Sequence, residues 1–600
     1  MAKNEFKEQE YTKQFDYQLW LKVGKFALKY WKHLLFIAIA MLAVAGIDAY
    51  LPLMTKKAID NFIVPQKSEG IGNFAIFYLA LIVVQALSVF FFIVLAGKVE
   101  VGIIYDIKRA GFVHLQKLSL SYYNKTPVGW LMARLTSDCM NLGSTIAWGM
   151  VDFVWGGTMM GAISFIMFKL NWKLALIVFA VIPPLAIVSL YFQKIILKSY
   201  RNVRKINSKI TGSFNEGISG AQTTKTLLRE ADNFTEFSQL TDKMYNSSVA
   251  AAIKSSLFQP LVLFIGSIGS ALALWFGGNG VIGNVVSYGV LVAFITYMIR
   301  FFEPIRELAR IFSEFQNAQA SAERIFSLLE TKPEIIDNSE IAEFNNHVPQ
   351  KIVGDVKFVN ITFEYKGGEK VFDNFNLDIK AGETVAIVGE TGAGKSTLVN
   401  LLARFYEPDS GKILIDEHDY IALPLQFIQS NVSLVLQTPH LFSGTIADNI
   451  RYGKLTASEK DIKQAAKIVY ADGFISKLKD GYDTEVGEGG SLLSLGQKQL
   501  ITFARAIISD PAILILDEAT SSVDTETEMM IQMALENILW SRTSIIIAHR
   551  LSTIKSADRI IVIEHGEIIE MGKHNELIKQ KGRYHNLYTN QFIDESDSFL

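Results

Sequence analysis

Six apolar runs fill the first half of this chain, and they leave it few folds to choose from. Their bounds read as 33–54, 73–97, 145–169, 172–195, 256–278 and 283–305. About 20 apolar residues wound as a helix cross the roughly 30 Å hydrocarbon core of a bilayer. In that medium every backbone N–H and C=O needs an internal partner, so such runs must be helices. The third and fourth runs are parted only by Asn171, Trp172 and flanking lysines. Pro183-Pro184 lies inside the fourth and predicts a kink there. Residues 7–32 mix Phe15, Tyr17, Trp20, Leu21, Phe26 and Trp31 with lysines, the pattern of an interfacial amphipathic helix.

Charge sets the orientation. The connection 98–144 carries Lys98, Lys108, Arg109, Lys117, Lys125 and Arg134, and 196–255 carries a longer series from Lys198 to Lys254. Basic connections stay on the cytoplasmic side. Both termini then face the cytoplasm, and the short links near 170 and 280 face outside. The N-terminus lacks a cleavable signal pattern. The single cysteine, Cys139, excludes a disulfide framework or a cysteine metal site, and reads as a buried small residue in a reducing compartment. A net charge of −2 argues against a nucleic-acid partner.

Polar, aperiodic residues over 331–350 read as a linker, and from 351 the pattern changes to the strands, loops and helices of a soluble α/β domain. Its centre is Gly389-Glu390-Thr391-Gly392-Ala393-Gly394-Lys395-Ser396-Thr397, which fits the phosphate-loop pattern G-x-x-x-x-G-K-[ST]. A β-branched run, Glu383–Val388, precedes it, and an amphipathic helix follows. Glycines let several N–H groups converge on one anion, and the helix N-terminus adds its positive dipole end. Lys395 is expected to reach the β- and γ-phosphates of ATP, and the Ser396 hydroxyl to ligate Mg²⁺. About 120 residues on, Ala512–Leu516 is an apolar strand ending in Asp517 and Glu518. Asp517 suits Mg²⁺, mostly through water, and Glu518 is placed to polarise the attacking water.

Leu493-Ser494-Leu495-Gly496-Gln497 resembles the LSGGQ signature of ABC transporters, and other landmarks of that family follow in order. The resemblance implies that Tyr365 stacks on adenine. It makes Gln437 a contact to Mg²⁺, Ser521–Asp524 the D-loop, and His549 a contact to the γ-phosphate. Thr484–Glu488 matches a loop of exporters rather than importers; Asn124–Gly129 and Gly217–Gly220 match exporter cytoplasmic loops. An N-cap serine at 494 and the helix N-terminus at Gly496–Gln497 suit a γ-phosphate held by another subunit. The expected fold is an α-helical six-span transmembrane domain fused to an α/β P-loop NTPase, the ABC ATPase. Its parts are an elbow at 1–32, the membrane domain at 33–330, the linker at 331–350 and the nucleotide-binding domain at 351–600. The stroke is expected to pass through loop apices near 118–124 and 216–226, met by Gln437 and Glu488.

Two positions depart from the family pattern. Leu495 stands where the signature has its third-position glycine, and Gly489 where the exporter loop has arginine. A Leu side chain beside the nucleotide hinders close approach. The resemblance is therefore to the hydrolysis-competent subunit of an asymmetric heterodimer, with a homodimer as the alternative. The expected location is a bacterial inner membrane, with the ATPase in the cytoplasm. Among the spans, Trp148, Phe153, Trp155, Phe165 and Phe168 supply aromatics; Asp48, Gln85, Asp152, Gln259 and Arg300 are the polar suspects. An aromatic cavity with a carboxylate suits amphipathic, cationic compounds, so multidrug efflux is the leading expectation. A lipid flippase, a peptide exporter and a nucleotide-gated channel or sensor are the alternatives.

Overall fold

The computed structural model describes residues 16–337, 351–365, 368–517, 525–540, 542–547 and 551–596. The chain folds as two compact units. One comprises residues 1–117 and 126–331, the other 118–125 and 332–600.

The first unit is helical. Six of its helical segments are long and apolar enough to cross a membrane: Trp31–Ile63, Ile71–Leu115, Val128–Leu170, Trp172–Ser219, Glu230–Ile282 and Tyr288–Ile305. The second and fifth run for 45 and 53 residues. At about 1.5 Å rise per residue they extend roughly 70 and 80 Å, well past a bilayer core. Ahead of them, Tyr17–Leu28 is a short helix capped by Asp16, whose carboxylate accepts from the N–H groups of Gln18 and Leu19 at 2.9 and 3.1 Å. It buries Leu19 and Val23 and leaves Tyr17, Leu21 and Leu28 exposed, the two-faced character that the sequence suggests. Residues 7–15 of the expected helix lie outside the described residues.

Two local features differ from expectation. The fourth span is not one kinked helix. Trp172–Phe179 ends in a turn at Ala180–Val181, and a new helix, Ile182–Ser219, starts with Pro183 and Pro184 in its first turn. Proline costs nothing there, because the first-turn N–H groups have no intrahelical acceptor anyway. The sixth span starts at Tyr288, later than the expected 283. Residues 283–287 form a turn with Asn284 at φ +54°, and Ser287 caps the helix through its hydroxyl. Asp60, in a π-helical turn at Ile59–Ile63, accepts from the Ser287 hydroxyl at 2.7 Å and the Gly289 N–H at 2.9 Å. That carboxylate pins the end of the first span to the start of the sixth.

The second unit holds ten strands among its described residues. These are β1 (Val356–Tyr365), β2 (Glu369–Ile379), β3 (Thr384–Val388), β4 (Ser410–Ile415), β5 (His418–Asp419), β6 (Val432–Val435), β7 (Ile513–Asp517), β8 (Thr543–Ile547), β9 (Arg559–Glu564) and β10 (Glu567–Gly572). An antiparallel sheet has the order β2-β1-β4-β5, and a six-stranded sheet the order β10-β9-β3-β8-β7-β6. In the latter, β9, β3, β8, β7 and β6 are parallel. Side chains alternate across a strand. Val385, Ile387, Ile513 and Ile515 therefore join one core with Phe358, Phe372 and Leu398. Ala386, Val388, Leu514 and Leu516 join a second core with the helix Leu495–Ile507. Burial on both faces is why these strands read as unbroken apolar runs.

Arg404 fixes the chain after the Lys395–Leu402 helix. Its residue is 2% exposed and turns the chain at φ +52°. The guanidinium donates to Glu407 at 2.9 Å and to the Leu423 carbonyl at 2.8 Å. Arg404→Met keeps the volume but leaves buried acceptors unpaired. Losing about 3 kcal/mol of a domain of this size predicts a fall of roughly 6–12 °C in its melting temperature, measured by calorimetry of the detergent-solubilised chain.

Candidate nucleotide site

Parallel strands deliver the site's residues to one edge. The phosphate loop follows β3, Asp517 closes β7, and Gln437 comes two residues after β6. These strands run the same way, so their carboxyl ends share a side of the sheet, where ligands of such folds bind. Glu518 and His549 follow β7 and β8 in sequence and lie outside the described residues.

The loop is wound as an anion cradle. Gly392 and Gly394 have φ of +90° and +105°, a region that L side chains avoid. A Cβ on Gly394 would also lie 3.1 Å from the Phe372 ring. The Ala393 N–H closes the turn onto the Glu390 carbonyl at 3.2 Å, and Lys395 then opens the helix Lys395–Leu402. Lys395 is 9% exposed, and its ammonium donates to the carbonyls of Gly389 and Glu390 at 2.6 and 2.9 Å. Burial pushes its pKa below the ordinary lysine value, and the Asp517 carboxylate opposes that shift. Thr391 and Ser396 are exposed, while Ala393 and Thr397 are buried. Glu390 pairs with Arg583, which also holds Glu564 at 2.8 Å. Arg583 is a neighbour of the loop that the motif does not mark.

Tyr365, at the end of β1, places its hydroxyl 3.1 Å from Thr397 Oγ1 on the phosphate-loop helix. Gln437 is exposed. Ser396, Asp517 and Gln437 offer a hydroxyl, a carboxylate and an amide, an oxygen set that suits Mg²⁺. The residues 494–497 sit apart from the loop, and no hydrogen bond among the described residues joins the two. Ser494 caps Leu495–Ile507 in a reciprocal box: its hydroxyl accepts from Gln497 N at 3.3 Å, and Gln497 Oε1 accepts from Ser494 N at 3.0 Å. Gly496 is buried, whereas Leu495 occupies the first helical position and is 38% exposed. Gly489, at the other departure, has φ +60°.

The short helix Leu120–Lys125 packs with this second unit. It meets Tyr406 and the Glu334 segment. Among the described residues neither Gln437 nor Glu488 hydrogen-bonds to it. The other apex forms a short exposed helix, Ala221–Thr226.

In the first unit most of the polar suspects are already partnered. Asp48 accepts from Gln85 at 2.9 Å and from Trp155 at 3.4 Å, and pairs with Arg300 at 3.3 Å. Asp152 pairs with Arg310 at 2.7 Å, which also takes Glu307 and Glu314. These carboxylates are not the free cation acceptors that an aromatic cavity with a bare acid requires. Gln259, Phe153 and Phe165 are exposed. A polar cavity of about 650 Å³ lies among Asn141, Ser144, Trp148, Arg204, Arg310 and Glu314.

A membrane body of six spans joined to a phosphate-loop nucleotidase defines the class, an ATP-driven membrane transporter. Residues 34–305 match the family model of the ABC transporter transmembrane region, and residues 372–521 match that of the ABC transporter. The chain is 36% identical to an ATP-dependent lipid A-core flippase of Desulfotalea psychrophila, over 93% of this chain and 96% of that one. It is 38% identical to a "probable multidrug resistance" ABC transporter of Bacillus subtilis, over 81% of this chain and 72% of that one. Its fold matches a bacterial Atm1-family ABC exporter with ATP bound at a TM-score of 0.75 and 25% identity, covering 96% and 99% of the two chains. The chain belongs to the ABC transporter family and is an exporter-type, multi-pass membrane protein that couples ATP hydrolysis to transport.

Gly394→Ala tests the cradle. Strain of about 1–3 kcal/mol at such a backbone position predicts a roughly 5- to 150-fold weaker ATP affinity, measured by equilibrium binding of a fluorescent ATP analogue.

Proposed function

We propose that this chain is one half of a heterodimeric exporter that moves hydrophobic or amphipathic compounds from the cytoplasm or inner leaflet of a bacterial inner membrane. Its domains are taken as elbow 1–32, membrane domain 33–330, linker 331–350 and nucleotide-binding domain 351–600. The buried Lys395 ammonium, held by the Gly389 and Glu390 carbonyls of the phosphate loop at the end of β3, supports the reading. When ATP arrives, Lys395 exchanges the Gly389 and Glu390 carbonyls for β- and γ-phosphate oxygens. The N–H groups of residues 390–394 take the same phosphates, and Tyr365 stacks on adenine. Ser396, Asp517 and Gln437 would hold Mg²⁺, partly through water; bound there, the ion neutralises charge between the β- and γ-phosphates. Glu518 polarises the attacking water, and His549 contacts the γ-phosphate.

Ser494, Gly496 and Gln497 face the nucleotide of the second chain. The exposed Leu495 at the mouth of that helix supports asymmetry, because it fills space where a phosphate must approach. The site built on Lys395 and Glu518 is the competent one, closed by the partner's signature. Two relatives are named for lipid A-core flipping and for multidrug resistance, and cargo of those kinds favours an amphipathic substrate here. Flipping of a lipid is the second reading, favoured by the lipid A-core relative.

Two measurements decide these points. Glu518→Gln is expected to retain ATP and lose about 10²- to 10⁴-fold in turnover, along with ATP-driven uptake into inside-out vesicles. Near-normal hydrolysis removes Glu518 from its role. For the pairing, the chain purified alone is expected to lack substrate-stimulated ATPase. A stable homodimer with stimulated ATPase and transport overturns the heterodimer.

A further inference from the structure

We infer that Tyr406 is a positioning residue that ties the adenine end of the ATP site to the first cytoplasmic loop, through the Asn124 side chain on one side and the Tyr365 ring on the other. This rests on the reading that Tyr365 stacks on adenine.

The connection is built from consecutive contacts. Thr397 is two residues after Lys395 on the phosphate-loop helix, and its hydroxyl is 3.1 Å from that of Tyr365. The Tyr365 ring meets Tyr406 edge-on, with centroids 5.2 Å apart and an interplanar angle of 84°. Phe363 packs edge-on against both, at 4.9 and 5.9 Å. The Tyr406 hydroxyl accepts from Asn124 Nδ2 at 3.0 Å. Asn124 belongs to Leu120–Lys125, the turn that joins the helix Ile71–Leu115 to the helix starting at Val128.

Both ends of the relay are anchored. Tyr406 follows Arg404, whose buried guanidinium holds the chain to Leu423 and Glu407. The loop helix has a second, separate tether: Ser119 Oγ accepts from the Glu334 and Ile335 N–H groups at 3.0 and 3.1 Å, and Ser121 donates to Glu334 at 2.6 Å. The serine tether holds the start of the loop helix in place. The Asn124–Tyr406 bond then sets its far end. Edge-to-face packing and hydrogen bonding are both directional. A base stacking on Tyr365 fixes the angle of that ring, hence the seat of Tyr406, hence the direction in which its hydroxyl meets Asn124. Tyr406 touches no phosphate, so its effect is on transmission rather than on binding.

The test uses the full chain in its assembled transporter, in nanodiscs, with Cys139→Ser and a spin label at Lys125→Cys. ATP is added with EDTA, so that no turnover occurs. In the parent the label's spectrum changes with ATP. Tyr406→Phe keeps the ring and removes the acceptor. It is expected to shift ATP affinity less than about twofold and to shrink the spectral response by roughly three- to tenfold, the loss of one hydrogen bond. Asn124→Ala is expected to do the same, and the double variant no more than either alone. A full response in either single variant, or additive losses in the double, overturns the relay. Tyr365→Ala checks the premise separately: unchanged ATP affinity there removes the adenine reading, whatever Tyr406→Phe does to the label.

Discussion

The shared direction of β3, β8, β7 and β6 is the constraint on which the nucleotide site depends. Because the strands are parallel and adjacent, their last residues fall along one edge. The loop after β3, the acid ending β7 and the glutamine after β6 are thereby gathered from positions up to about 130 residues apart in sequence. The sheet is held rigid by two separate cores, one on each face. A site spread over three strand ends needs that rigidity, since a shift of β3 against β7 would separate Lys395 from Asp517.

The membrane unit follows a different constraint. Charge inside a span is expensive unless it is paired or lies against water. Asp48 meets both Gln85 and Arg300, drawing together the first, second and sixth spans. Asp152 and Arg310 link the third span to the extension of the sixth. These groups look more like the cross-braces of the bundle than a bare electrostatic trap. The polar cavity beside Trp148 and Arg204 is lined in part by the same braced groups, Arg310 and Glu314.

Legibility differed by the range of the interaction. The phosphate loop is local: glycines, lysine and the flanking strand and helix all sit within about twenty residues, and the motif could be read directly. The spans were legible because the bilayer imposes length and composition on contiguous runs. Their ends were less so. Pro183-Pro184 signalled a disruption, but whether it bends a helix or starts a new one depends on which acceptors the preceding turn offers. The pairing of Asp48 with Arg300 spans about 250 residues and leaves no periodic trace. Tyr406 and Arg583 carry no motif at all, because each gains its place from tertiary contacts alone. Tyr406 and Glu334, which bond to the first cytoplasmic loop, carried no signal in the sequence.

Leu495 and Lys395 bear on the same event from opposite sides. The capping box at Ser494 and Gln497 is complete, so the helix N-terminus keeps its geometry despite the substituted glycine. Whatever Leu495 does to a phosphate facing it is therefore steric, acting through an exposed side chain on an unstrained backbone. Lys395, in contrast, is already satisfied by two carbonyls of its own loop. In the proposed role of Lys395, ATP displaces those bonds, so that occupancy and loop rearrangement become a single step. Closure of the proposed dimer would then ask the second chain's signature to approach a loop that has already changed shape. In the proposed asymmetric pair the two demands are separated: this chain would contribute the loop that rearranges, and its partner the signature that follows.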